Sequence, residues 1–279
     1  YLPKITYVRY GYKGDMLYGK LGRIDDAALG TGFIVNQYSN TLFQPDEKII
    51  GLSFDLDGQL FGFPYAGIET FAGNLAHFDV FGARVYSRPL LWLELPIINN
   101  LEWGITGAFD IDPDYRTEYF NQAISDGQNA SAIAVFGSDL ILPLLNFDIA
   151  SLALFGDVAF QGSHSGSMVG FGGRLINIIP YVFQLRFLGK NFIPSYFDST
   201  YDIYRGLKYA AVNSNEEIIP ASTSWLATTG VSLFDDQLAL TATVDGPFAP
   251  IPASRTENTN YIEYPHLFAL LRVEEGFMT

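Results

Sequence analysis

The chain has 279 residues, 48% of them hydrophobic and 15% aromatic, and only 16% charged, against roughly 25% in soluble domains. A formal net charge of −14 makes nucleic acid a poor partner, and the lack of cysteine excludes disulfides, thiolate metal sites and cysteine nucleophiles. The richest apolar stretch, Leu175 to Leu185, is broken by Asn177, Pro180 and Gln184, so no spanning helix is expected and any membrane reading must rest on strands.

Strands are read where apolar and polar residues alternate between turn signals, because successive side chains on a strand point to opposite faces. The first four are predicted at 4–12, 15–24, 31–38 and 48–56. In the fourth, Leu52, Phe54 and Leu56 oppose Ser53, Asp55 and Asp57, and Asp57-Gly58 makes a tight turn. Strands at 59–71 and 77–95 follow, the second with a bulge expected near Gly82, where the parity shifts. The clearest alternation is at 101–111. Leu101, Trp103, Ile105, Gly107, Phe109 and Ile111 share one parity; Glu102, Gly104, Thr106, Ala108, Asp110 and Asp112 share the other.

After a polar stretch come strands at 130–142, 148–161, 167–178 and 181–190. The last sets Tyr181, Phe183, Leu185 and Phe187 against Val182, Gln184, Arg186 and Lys190. Strands at 223–234, 237–246 and 267–277 complete the set.

Short connectors (57–58, 96–100, 143–147, 179–180, 235–236) take turns with longer or more polar ones (39–47, 72–76, 112–129, 162–166, 191–222, 247–265). Leu95-Pro96-Ile97-Ile98-Asn99 and Leu142-Pro143-Leu144-Leu145-Asn146 repeat one turn solution on the short side. About fourteen strands, within bounds of twelve to sixteen, and both termini on the short-turn side fit one fold class: an all-β, single up-and-down antiparallel transmembrane β-barrel. It forms one domain over 1–279. A Greek-key sandwich has no reason to sort its connectors this way. The chain begins in its first strand, so any export signal is expected to have been removed or left out.

The alternations at Leu101–Asp112, Tyr181–Lys190 and Leu238–Asp245 resemble those of bacterial outer-membrane β-barrels in the broad porin-like sense. So does Phe277, on the parity of Leu267, Ala269, Leu271 and Val273 near the chain's end, although Met278 and Thr279 follow it. The resemblance implies the outer membrane of a Gram-negative-type bacterium, lipid and lipopolysaccharide against the outer face, no cofactor and no enzymatic activity. It covers nearly the whole chain and names no specific family.

Inward parity then carries charge: Arg84 and Arg88 with Tyr86, then Glu102, Asp139, Asp157, Arg174, Arg186 and Arg272. These are the candidate pore-lining residues, since charged rings tune selectivity. Two functions stay open. One is a porin-like channel for small solutes; the other is a filled structural barrel docking envelope proteins through loops 112–129, 191–222 and 247–265. The second follows if Arg and carboxylate pair across strands and close the lumen.

Three further patterns read as ordinary structure. Asp110-Ile111-Asp112-Pro113-Asp114 could hold a hard cation but fits a solvated loop, and Asp55-Leu56-Asp57-Gly58 fits a hairpin better than a calcium loop. Ser163-His164-Ser165 lacks a nucleophile elbow and an orienting acid. No catalytic or metal site is assigned. The aromatic run Asn191–Tyr204 is long for a loop, and constriction, partner surface and interfacial girdle all remain open for it.

Overall fold

The period-two alternation materialises as strands that zip to their chain neighbours. A computed structural model describes residues 6–44, 46–93, 95–117, 130–147, 149–234, 237–249 and 265–273. The strands are β1 (Tyr7–Tyr10), β2 (Leu17–Gly22), β3 (Gly51–Asp57), β4 (Ala66–Ala72), β5 (Val80–Ser87), β6 (Glu102–Asp110) and β7 (Ile133–Asn146). They continue as β8 (Ser151–Gln161), β9 (His164–Leu175), β10 (Ile179–Leu188), β11 (Ser222–Leu233), β12 (Leu238–Pro247) and β13 (His266–Val273). One helix, α1 (Tyr201–Asn213), lies between β10 and β11. All pairings are antiparallel, in the order β1 through β13, in a single 13-stranded up-and-down sheet.

The register lays residues in transverse rows. One runs Asp57, Gly67, Tyr86, Gly104, Asp139, Asp157, Met168, Arg186, Ser224 across nine strands. Its neighbour on the opposite face runs Leu56, Ile68, Val85, Ile105, Ser138, Val158, Ser167, Phe187. The first row is largely buried, whereas Val85 and Ile105 in the second are 56% and 55% exposed. The apolar parity therefore faces outward.

Aromatics gather near both ends of that outer face. Phe61, Phe63, Tyr65, Trp92 and Trp103 are exposed at the short-connector end. Phe78, Phe81, Phe109 and Phe136 form a continuous contact series toward the other, with successive ring centroids 4.7, 5.3 and 5.4 Å apart. Along β6, Trp103 and Phe109 are roughly 20 Å apart at ~3.4 Å per residue.

The connectors sort by end as expected, with 23–50, 111–132, 189–221 and 248–265 all on one side. Other expectations change. The sheet does not close among the described residues: β1 and β13 are its edges. Thirteen strands replace about fourteen because 31–38 is not a strand; its ladder pairing is limited to isolated bridges, Ala27 to Tyr38 and Val35 to Phe197. β1 and β13 both run from the long-connector end to the short one, so the described termini lie at opposite ends. Gly82 pairs without a bulge, with Phe71 and Ala108, and the register shift lies between Pro143 and Leu145. Phe277 and most of loops 112–129 and 247–265 lie outside the described residues.

Candidate functional site

Two connectors fold back over the face that carries the polar parity. In the β2–β3 connector, Ile24, Ala27, Leu29, Phe33, Ile34, Val35 and Tyr38 are all buried. The β10–β11 connector adds Phe192, Tyr196, Phe197 and, on α1, Tyr201. The two are stitched together by backbone: the Ser195 N–H donates to the Phe33 carbonyl (2.7 Å), Phe197 to Ile34 (3.1 Å) and Asn36 to Phe197 (3.0 Å). Phe33 stacks on Phe192 at 5.5 Å. With Phe71, Val80, Ala108, Val135 and Met168 of the sheet they form one apolar cluster against that face, hereafter the plug. Burying each large side chain contributes about 1.5–3 kcal/mol, which is what holds a long connector inward.

The plug meets inward-facing charge. The Gly30 N–H donates to Glu69 Oε2 (2.8 Å), and Thr31 Oγ1 donates to Asp157 Oδ2 (2.6 Å). Beneath it, Arg84 is fully buried and donates to Asp139 Oδ1 and Oδ2 (2.9 and 2.5 Å), Glu102 Oε1 (2.8 Å) and Glu69 Oε1 (3.1 Å). Arg88, just past β5, donates to Asp57 (2.7 Å) and Glu102 (3.2 Å), and the Tyr86 hydroxyl donates to Asp57 (3.0 Å). Five expected residues, Arg84, Tyr86, Arg88, Glu102 and Asp139, are thus one hydrogen-bonded network; the sequence offered Glu69 and Asp57 no such role.

The other four are dispersed. Asp157 holds the plug, and Arg174 sits half-buried on β9. Arg272 of β13 lies 3.5 Å from Asp26, in the connector after β2. Arg186 is 7% exposed and its Nε donates to Gln184 Oε1 (2.8 Å).

A second network docks α1, and sequence reasoning missed it because its partners are far apart in the chain. Arg205 donates to both oxygens of Asp110 (2.6 and 2.8 Å) and to Asp79 (2.6 Å), while the Tyr201 hydroxyl donates to Asp110 (2.6 Å). Asp110 is thus a helix anchor. Burial pushes Asp202 up to about 7, opposed by Arg205 and reinforced by Asp79 and Asp110. Burial also lowers Lys208, against the pull of Asp198, to which it donates at 2.7 Å. His164 is a buried strand residue whose Nε2 lies 3.0 Å from the Val212 carbonyl, turned to the end of α1.

Inward residues are not sealed equally. From β4 to β9 the inner positions under the plug are buried, whereas Leu226 and Thr228 of β11 and Thr243 and Asp245 of β12 are half-buried, and Phe268 of β13 is 44% exposed. The chain was compared with family models, curated proteins and solved structures, and none matches.

Proposed function

We propose that this chain is an outer-membrane β-barrel acting as a narrow porin-like channel for small solutes. The observation that carries the reading is the two-faced sheet: exposed Val, Ile, Leu and Phe on one side, paired polar groups and folded-in connectors on the other. Water does not favour so large an exposed apolar face; a bilayer does. The roughly 20 Å between Trp103 and Phe109 is close to the ~25 Å apolar band of such barrels, which aromatic girdles flank.

Closure of the cylinder is part of the proposal. The Arg272–Asp26 ion pair supports it by bringing the last strand to the connector that follows β2. The edges would then meet in parallel, as an odd strand count requires. Bacterial single-chain barrels have even counts, and the odd precedent is a mitochondrial barrel.

A wide pore lined by all nine candidate residues is not the form this takes. The plug occupies the β4–β9 side, and the proposed passage runs along β11–β13, where inner residues such as Leu226, Thr228 and Thr243 are half-buried. The second reading, a filled barrel that docks envelope proteins, draws on the same plug. Single-channel recording in planar bilayers tests the two. Discrete small conductance steps are expected from folded protein, and silence from protein that shows heat-modifiable gel migration would replace the channel with the scaffold. Full solubility without detergent would remove both.

A further inference from the structure

The buried or inward cations of this chain are almost all answered by carboxylates: Arg84 by Asp139, Arg88 by Asp57, Arg205 by Asp110, Lys208 by Asp198, and Lys20 by Asp25. Arg186 differs. It is 7% exposed, points inward two residues before the end of β10, and has no carboxylate within ion-pair distance among the described residues.

Its Nε is committed to the Gln184 side-chain oxygen, which blocks the side-on fork and leaves the two Nη groups free for an end-on bidentate acceptor. Ser224, directly opposite on β11, and Gln184 itself are also each 7% exposed. The Ser224 hydroxyl and the Gln184 amide nitrogen have no protein partner among the described residues, and both groups can donate.

No carboxylate pairs with Arg186 directly, although the field of Asp245 reaches it. Asp157 is two strands away along the same row, about 10 Å at ~4.8 Å per strand, and is engaged with Thr31. Asp245 lies two strands away on β12, two residues off that row. A buried guanidinium left without a counter-charge is costly, and a mobile oxyanion relieves that cost.

We infer that Arg186, Gln184 and Ser224 form an oxyanion subsite on the unplugged wall of the lumen, taking the carboxylate or phosphate group of a small solute. The inference deepens the channel reading and rests on it for the solute's route in. A net charge of −14 disfavours anions at the chain as a whole, so one such subsite would decide which anions dwell.

The test titrates folded, detergent-solubilised full-length protein with inorganic phosphate and, separately, acetate. Binding is followed by saturable line broadening of the phosphorus or carbon resonance. Saturable binding of at least one anion is expected. Arg186→Gln should weaken it by about tenfold or more and Arg186→Lys by less, while Arg272→Gln should leave it unchanged.

Absence of saturable binding by folded wild-type protein overturns the subsite, whatever the variants do. So does binding by Arg186→Gln within twofold of wild type. Planar-bilayer recording separates the two levels: anion binding without conductance steps keeps the subsite and removes the channel, and steps without anion binding do the reverse.

Discussion

Arg84 on β5 reaches across Gly104 on β6 to grip Asp139 on β7 with two hydrogen bonds, Nε to Oδ1 at 2.9 Å and Nη2 to Oδ2 at 2.5 Å. The bridge spans three strands because the middle one has no side chain there. A Cβ on Gly104 would lie 2.5 Å from Arg84 Nε and 2.6 Å from Asp139 Oδ1. Breaking a buried pair outright costs about 3–5 kcal/mol. Asp139→Ala leaves Arg84 still paired with Glu69 and Glu102, so its loss of unfolding free energy in detergent should fall below that range. Arg84→Met strands three carboxylates and should cost more. The double variant Arg84→Met/Asp139→Leu should cost less than the sum of the two single losses. A loss equal to that sum would mean that the pair has no coupled role.

Gly30 sets the depth of the plug. Its φ is +53°, a left-handed conformation, and an added Cβ would lie 2.7 Å from Arg84 Nε and 2.8 Å from Arg84 Cδ. Gly30→Val adds both a backbone penalty of about 1–2 kcal/mol and a clash with a side chain pinned by three carboxylates. Hydrogen exchange should then accelerate at Val35 and Phe197 while the β5–β8 amides stay protected. Slow exchange at Val35 in this variant would contradict the plug's dependence on this contact.

Face polarity makes a separate claim. Ile105 is 55% exposed on the outer face; its neighbour Thr106 is 4% exposed on the inner. If Ile105 meets the bilayer midplane, Ile105→Arg should cost about 2–4 kcal/mol in lipid vesicles, and much less in a detergent that lets the side chain reach water. Thr106→Ser should be close to neutral in both. An Ile105→Arg cost that is independent of the medium would count against lipid on that face.

The sheet was legible because its outer face must be apolar at every second residue, so β6 and β10 announce themselves. The plug was not. Phe33, Ile34 and Val35 are consecutive and all buried, enclosed on every side rather than on one, and such a run reads as a short strand. Its lack of the alternation seen elsewhere was the available signal. The charged inner parity was readable residue by residue. Pairing was not, since Arg84 and Asp139 are 55 positions apart and Arg205 and Asp110 are 95 apart. What separates Arg186 from the other arginines is the missing partner, and only three dimensions reveal that.

The approach of β13 to the β2–β3 connector, which closure requires, can be tested because the chain contains no cysteine, so any introduced pair is unique. Arg272 Nη2 and Asp26 Oδ2 are 3.5 Å apart. The double variant Asp26→Cys/Arg272→Cys should cross-link with a short bifunctional maleimide in folded protein and yield a faster-migrating denatured band. Neither single variant should do so. Failure to cross-link, with both cysteines reactive toward a monofunctional maleimide, would leave the edges of the sheet apart.

The docking of α1 should depend on pH through Asp202. In the docked helix burial raises this carboxyl to about 7 from its ordinary 3.8. Arg205 pulls it down, and Asp79 and Asp110, which face it from the ends of β5 and β6, push it up. Below pH ~4 the group is protonated whether the helix is docked or free, so it contributes no difference. Between pH ~4 and ~7 the docked form holds a proton that the free form has lost, and docking weakens as pH rises through that window. Above ~7 the effect is complete and the dependence flattens. Exchange protection of the α1 amides, corrected for intrinsic rates, should therefore fall between pH 4 and 7, and Asp202→Asn should abolish most of that fall. An unchanged pH profile in the Asn variant would assign the dependence to another group around Arg205.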